Sequence, residues 1–249
     1  MHRCYVPRAN WAAGLLALPP AEAHHLLHVL RATEGEAVVV FDGAGQQARA
    51  TVGRSGAAGV ELRLLEPPHA VAAGAVELRL YQAIPKGPRM DLVIEKATEL
   101  GAARIVPVLT QRVIVRLDPP QAAARVARWM RIAAAAAKQC GTPRLPEVSA
   151  VQPFETALRE AATADCCLAG LLSGQPQPLR DVVRAAAARP TPPRHVALLI
   201  GPEGDFTPAE AQAILAAGAV PVSFGARVLR TDTAALFGLS VLAAEFLAD

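Results

Sequence analysis

The chain has 249 residues, 52% of them hydrophobic, enough to bury a core in one large or two modest domains without disulfide staples. Its 25 basic and 22 acidic residues leave a net charge of only +3, so an overall polycationic field is excluded as the means of holding nucleic acid, and local clusters matter more. The four cysteines, Cys4, Cys140, Cys166 and Cys167, show no CxxC spacing, and no apolar run reaches membrane-spanning length; reduced thiols in a cytoplasmic protein are expected.

From residue 1 to about 66 the pattern is one of short strands, predicted at 37–43, 47–52 and 60–65, with one helix at 21–31. This reads as a small β-barrel. Residues 67–74, with two prolines and a glycine, break the periodicity and read as a linker. Beyond them strands are predicted at 76–83, 104–109, 165–172, 196–200 and 220–224, and helices at 90–100, 121–139, 208–217 and 233–247. Alternation of this kind predicts an α/β domain with a mainly parallel sheet and helices on both faces. The run Ala133 to Ala137 is read as a close-packed helix, because alanine is the best helix former.

Two segments place a bend where an apolar strand gives way to a helix. In the first, Gly201-Pro202-Glu203-Gly204 presents a carboxylate from a constrained turn, and Thr207-Pro208-Ala209-Glu210 makes a capping box for the helix that follows. No GK[ST] or GxGxxG pattern accompanies it, which disfavours nucleoside triphosphates and dinucleotides. In the second, Arg227 and Arg230 precede Thr231-Asp232-Thr233, so a helix beginning near Thr231 or Asp232 would add its N-terminal potential to two guanidinium groups. The structural alternative pairs Asp232 with one arginine and makes it an N-cap only. Bends at the carboxyl ends of neighbouring parallel strands are common ligand sites.

A third segment, from Lys86 to Gly101, opens a helix with Lys86 and Arg89 near its N-terminus, where phosphate can be held, and Gly101 reads as its C-terminal stop. Glu95 and Glu99 read as surface charges. His24 and His28 are spaced i,i+4, but no HExxH or cysteine cluster completes a ligand set, and no metal site is expected.

Four segments in order, KGPRMDLVIEKATELG (86–101), QCG (139–141), LIGPEGDFTPAE (199–210) and FGARVLRTDTA (224–234), resemble the RsmE family, the 16S ribosomal RNA (uracil-1498-N3)-methyltransferases of the SPOUT superfamily. The resemblance implies a PUA-like RNA-binding barrel over residues 1–70 and a SPOUT methyltransferase domain over 74–249 with a trefoil knot, an exception to unknotted topology. It further implies S-adenosylmethionine as cofactor, 16S rRNA of the small ribosomal subunit as partner, and a homodimer. On matching positions the cofactor would lie against Leu171, Leu172, Ile200, Gly201, Pro202, Glu203 and Gly204, and against Phe224, Gly225, Val228, Leu229, Arg230, Thr231 and Ala234.

Methyl transfer to uracil N3 requires loss of the N3 proton. Glu203 and Asp232 are the candidate acceptors, and Arg230 or Arg227 the candidates to stabilise the uracil anion, with Arg8 as a contributor. Arg3, Arg8, Arg31, Arg49 and Arg54, with Lys86 and Arg89, are candidate RNA contacts. A ribose 2′-O-methyltransferase of the same superfamily and an RNA-binding assembly protein without catalysis are the competing readings. Departures from the family pattern are Lys138 in place of an acidic residue, Thr142 in place of an arginine, Asp232 for a more usual Glu, and His28 for a frequent Arg.

Overall fold

The computed structural model describes residues 1–11, 14–56 and 59–247. The chain divides into two compact units, residues 1–73 with 134–145, and residues 74–133 with 146–247 among those described.

In the first unit β1 (His2–Tyr5), β2 (Leu15–Ala17), β3 (Ala37–Phe41), β4 (Gln46–Gly56), β5 (Gly59–Leu64) and β6 (His69–Ala70) form one sheet in the order β1-β3-β4-β5-β2, with β6 on β4. Only β1 and β3 run parallel. Alternating residues Val38, Val40, Ala48, Ala50, Val52, Val60 and Leu62 supply its core. Three of these strands, β1, β2 and β6, were not predicted. They are two to four residues long, too short for alternation to register, and β6 falls within the predicted linker. The single helix expected at 21–31 is instead α1 (Pro20–His24) running into a π-helical turn, His25–Val29, and it ends at Arg31 with a left-handed φ of 56°.

Residues 134–145 complete this unit, although the sequence places them in the second domain. Lys138 Nζ lies 2.7 Å from Glu22 Oε1, with both side chains more than four-fifths buried, and Glu22 Oε2 accepts the Tyr5 N–H. The Arg144 guanidinium donates to Ala44 O at 2.7 Å and Val71 O at 3.0 Å. Lys138 therefore has a physical partner on α1.

In the second unit β7 (Glu77–Ala83), β8 (Ala102–Leu109), β9 (Glu147–Val148), β10 (Gln152–Pro153), β11 (Cys166–Gly170), β12 (Gln177–Pro178), β13 (His195–Ile200) and β14 (Val220–Ser223) form an eight-stranded sheet. Its order is β10-β8-β7-β13-β11-β14-β12, with β9 on β8, and every pair is parallel. The helices are α2 (Arg89–Glu99), α3 (Pro119–Cys140, counted here as far as Ala133), α4 (Phe154–Ala161), α5 (Leu179–Ala187), α6 (Pro208–Ala216) and α7 (Thr231–Phe246).

Two cores show how the helices divide. Leu78, Leu80, Ile105, Cys166, Leu168, Leu198 and Ile200 pack with α2, α3, α5 and α7. The alternate residues Tyr81, Val106, Val108, Cys167, Ala169, Ala197 and Leu199 pack with α4 and α6. Period-two alternation thus serves two buried faces, which is why these strands read as nearly continuous apolar runs. Cys166 and Cys167 fall on opposite faces as free thiols. Gly101, at φ +80°, closes α2 with its N–H on Thr98 O.

Across the centre of this unit runs a buried polar chain. Gln82, fully buried at the end of β7, donates through Nε2 to Ala83 O at 2.8 Å and to Thr231 Oγ1 at 2.9 Å. Thr231 Oγ1 in turn donates to Gly201 O at 2.6 Å. The expected Thr-Asp-Thr cap is corrected accordingly: α7 begins at Thr231, Arg230 is its N-cap residue without a side-chain cap, and Thr231 spends its hydroxyl on the neighbouring loop. Asp232 only accepts the Thr233 N–H.

Thr231→Val should lower the urea-unfolding free energy by about 1–3 kcal/mol, because Gly201 O loses its donor and Gln82 one of its acceptors; Thr231→Ser should recover most of it. Lys138→Ala should cost about 2–3 kcal/mol by leaving Glu22 uncompensated, and the reversed pair E22K/K138E should be more stable than either single reversal.

Candidate active site

Because β13, β11 and β14 are adjacent and parallel, the loops after them leave the sheet at the same edge. Residues drawn from the loops 171–176, 201–207 and 224–230 and from the strand ends before them line a cavity of about 280 Å³. Of the candidate cofactor contacts, Leu171, Leu172, Ile200, Gly201, Pro202, Glu203, Phe224, Gly225, Val228, Leu229, Arg230, Thr231 and Ala234 line it, and Gly204 does not. Arg227 lines it too; Asp232 does not.

Four lining residues escaped the sequence reading: Gly170, Asp205, Val222 and Ser223. Gly170 is the last residue of β11, where a Cβ would lie 2.7 Å from Phe224 Cε2, so a side chain there would displace the ring that forms one wall. That ring packs edge-on to Phe237 of α7, with centroids 5.9 Å apart. Asp205 stands at a left-handed φ of 60° and accepts the Leu172 N–H through Oδ2 at 3.2 Å. A helical or strand pattern gives no sign of such a residue, since its role depends on a loop 33 positions away.

The Thr207 capping box forms as expected. Glu210 N–H donates to Thr207 Oγ1 at 3.2 Å, and Thr207 N–H to Glu210 Oε2 at 2.8 Å. Glu210 Oε1 also accepts the Gln111 N–H, tying the end of β8 to the start of α6. Arg112, which no sequence motif singles out, donates to Gly204 O and Phe206 O and grips the same turn from outside.

Charge is distributed unequally around the cavity. Glu203 Oε1 accepts the Lys86 N–H at 2.9 Å and lies 3.7 Å from Arg89 Nη1, so this carboxylate ties the 201–207 turn to the start of α2. Lys86 contributes its backbone to that tie, and Arg89 is half-buried beside Glu203 rather than free. Arg227 and Arg230 are exposed, and among the described residues neither is in an ion pair, so the alternative pairing with Asp232 is not formed. Burial pushes the Cys167 thiol up to about 12, and the Cys166 thiol is also raised, so neither thiol of β11 is an available thiolate nucleophile. Glu95 and Glu99 both face Lys96 at 2.8 Å on the surface of α2.

In the first unit Arg8, Arg31, Arg49 and Arg54 are exposed. Arg3 is different. Its guanidinium stacks 5.3 Å from the Phe41 ring centre and donates to Gln47 Oε1, and burial lowers its pKa from the usual arginine range. His24 and His28 lie with ring centres 4.8 Å apart, and among the described residues no group of three or more His, Cys, Asp or Glu side chains could hold a metal ion.

Residues 73–243 match the RNA methyltransferase domain family, and residues 18–65 the RNA methyltransferase PUA domain family. The chain is 32% identical to ribosomal RNA small subunit methyltransferase E of Mycobacterium tuberculosis, over 89% of this chain and 83% of that one. It is 35% identical to a Legionella pneumophila protein solved in complex with the cofactor SAM, with a TM-score of 0.87 over 98% of this chain and 97% of that one. Ribosomal RNA small subunit methyltransferase E of Neisseria gonorrhoeae, solved bound to S-adenosyl methionine, gives 30% identity and a TM-score of 0.82 over 98% of this chain and 97% of that one. With this coverage, two matched domains in order and a cavity at the expected strand ends, the chain belongs to the ribosomal RNA small subunit methyltransferase E family.

Proposed function

We propose that this protein transfers a methyl group from S-adenosylmethionine to N3 of one uridine, uracil 1498, in 16S rRNA of the small ribosomal subunit. The observation that carries the reading is the cavity formed by the loops after β11, β13 and β14, with two guanidinium groups in its lining that form no ion pair among the described residues. The residues present fit such a cofactor. Leu171, Ile200, Leu229 and Ala234 offer an apolar lining for a flat heterocycle, and the carboxylates of Glu203 and Asp205 have the sign that suits a sulfonium or ammonium group. When bound, the cofactor supplies an already activated methyl group.

The protein's remaining task is to orient the base and make N3 nucleophilic. Arg230 and Arg227 provide the positive charge that stabilises a uracil anion, and solvent takes the proton. Between the two carboxylate candidates, Glu203 lines the cavity but commits Oε1 to Lys86, while Asp232 lies outside the lining; neither is assigned as the base. A uridine must leave its stack to enter, so the target is an accessible RNA segment rather than regular duplex. Arg8, Arg31, Arg49 and Arg54 would meet backbone phosphates, which makes binding salt-dependent. Arg3, held by Phe41 and Gln47, is the weakest of the RNA candidates.

The trefoil knot, the cytoplasmic location and the homodimer belong to the same reading. For the dimer the support is α7, where Thr233, Phe237, Ser240 and Ala244 form an exposed, uncharged stripe with Phe237 43% exposed.

Purified protein, labelled S-adenosylmethionine and small subunits lacking the modification should yield 3-methyluridine at one 16S site on nucleoside analysis. A 2′-O-methylated product would reassign the acceptor, and no transfer with no cofactor binding would reject the enzyme reading. Arg230→Ala should lower kcat by about 100-fold while cofactor Kd stays within about threefold, measured by single-turnover kinetics and calorimetry; an unchanged kcat would remove Arg230 from the reaction.

A further inference from the structure

Asp205 is the one non-glycine residue of the 201–207 turn with a positive φ, 60°, a conformation that asparagine, aspartate and glycine tolerate best. Its backbone N–H closes the turn on Pro202 O at 3.0 Å. The side chain does not cap its own turn. Instead Oδ2 reaches across the cavity's edge to accept the N–H of Leu172 at 3.2 Å. Leu172 follows the last strand residues of β11 and opens the 171–176 loop, whose Gly174 and Gln175 also adopt positive φ, 83° and 55°. Leu171 is buried against the sheet, whereas Leu172 is 63% exposed, so the loop has little apolar packing beyond its first residue. The carboxylate hydrogen bond is a tie where packing stops.

We infer that Asp205 is a positioning residue for the cofactor cavity: its carboxylate pins the Leu172 amide and so holds the start of the 171–176 loop, whose Leu171 and Leu172 line the cavity, beside the turn that begins at Gly201. The inference rests on the proposed S-adenosylmethionine site. Its logic is the opposition between backbone and side chain at one residue. Glycine would suit φ 60° better but could not hold Leu172, so the aspartate keeps a less favourable backbone conformation in exchange for a cross-loop bond.

That opposition gives a test that a purely structural role would fail. Asp205→Gly should unfold at the same temperature as the parent protein or higher, exchange the amide hydrogens of residues 172–175 at least fivefold faster without ligand, and bind S-adenosylmethionine five- to twentyfold more weakly by calorimetry. Asp205→Asn keeps a carbonyl oxygen and tolerates the same φ, so it should restore exchange rates and Kd to within about twofold of the parent. Unchanged loop exchange and Kd in Asp205→Gly would overturn the inference while leaving the cofactor site intact. Weaker binding that accompanies a lowered unfolding temperature, with no rescue by Asp205→Asn, would overturn it in favour of general stability. A parent protein that itself fails to bind S-adenosylmethionine would overturn the cofactor reading, and the inference with it, whatever the variants do.

Discussion

The hydrogen-bonded chain from Gln82 through Thr231 to Gly201 is the constraint on which the site depends. It joins the end of β7, the turn after β13 and the first residue of α7; β7 and β13 are already paired strands, while α7 meets both through apolar packing. In that interior each donor or acceptor left alone costs far more than it would at the surface, so the three segments are held in one register. Where Thr231 is fixed, the start of α7 is fixed, and with it Arg230 at the N-cap and Arg227 in the loop before it.

Charge around the cavity follows a consistent division. The carboxylates are used internally: Glu203 on the Lys86 amide, Asp205 on the Leu172 amide, Glu210 on the amides of Thr207 and Gln111. Each binds one loop to another through a backbone N–H, which fixes geometry without depending on a partner side chain's rotamer. The arginines divide in two. Arg89 and Arg112 are occupied with the turn, while Arg227 and Arg230 line the cavity with no ion pair among the described residues. Carboxylates anchored at one oxygen keep their charge for a cationic cofactor, while the two lining arginines suit developing negative charge, as loss of a uracil proton would create.

Much of the fold was legible because its signals are local. The apolar runs in the predicted strands 196–200 and 165–172 and the spaced apolar residues Met90, Val93, Ile94 and Ala97 announced buried strands and an amphipathic helix. The same spacing occurs at Phe154, Ala157, Leu158 and Ala161, and α4 was still not predicted, because eight residues offer barely two turns of pattern. The edge strands β9, β10 and β12 are two residues each and exist only as pairings with a longer neighbour. The grouping of 134–145 with the first unit was hidden for a related reason: the alanine-rich α3 looks alike along its length, and Lys138 and Arg144 find partners more than 70 positions away.

For the site, the sequence by itself determined which loops carry the chemistry, since their glycines, prolines and arginines mark bends after apolar strands, and it determined the family through four motifs in order. Only the tertiary structure decided what each polar group does there. Glu203 and Asp232 look equivalent as carboxylates in a linear reading, yet one lines the cavity tied to Lys86 and the other lies outside its lining on the first turn of α7. Asp205 and Gln82 carry no local signature at all, because a hydrogen bond's role is set by the atom that it meets, and those atoms lie 33 and 149 residues away along the chain.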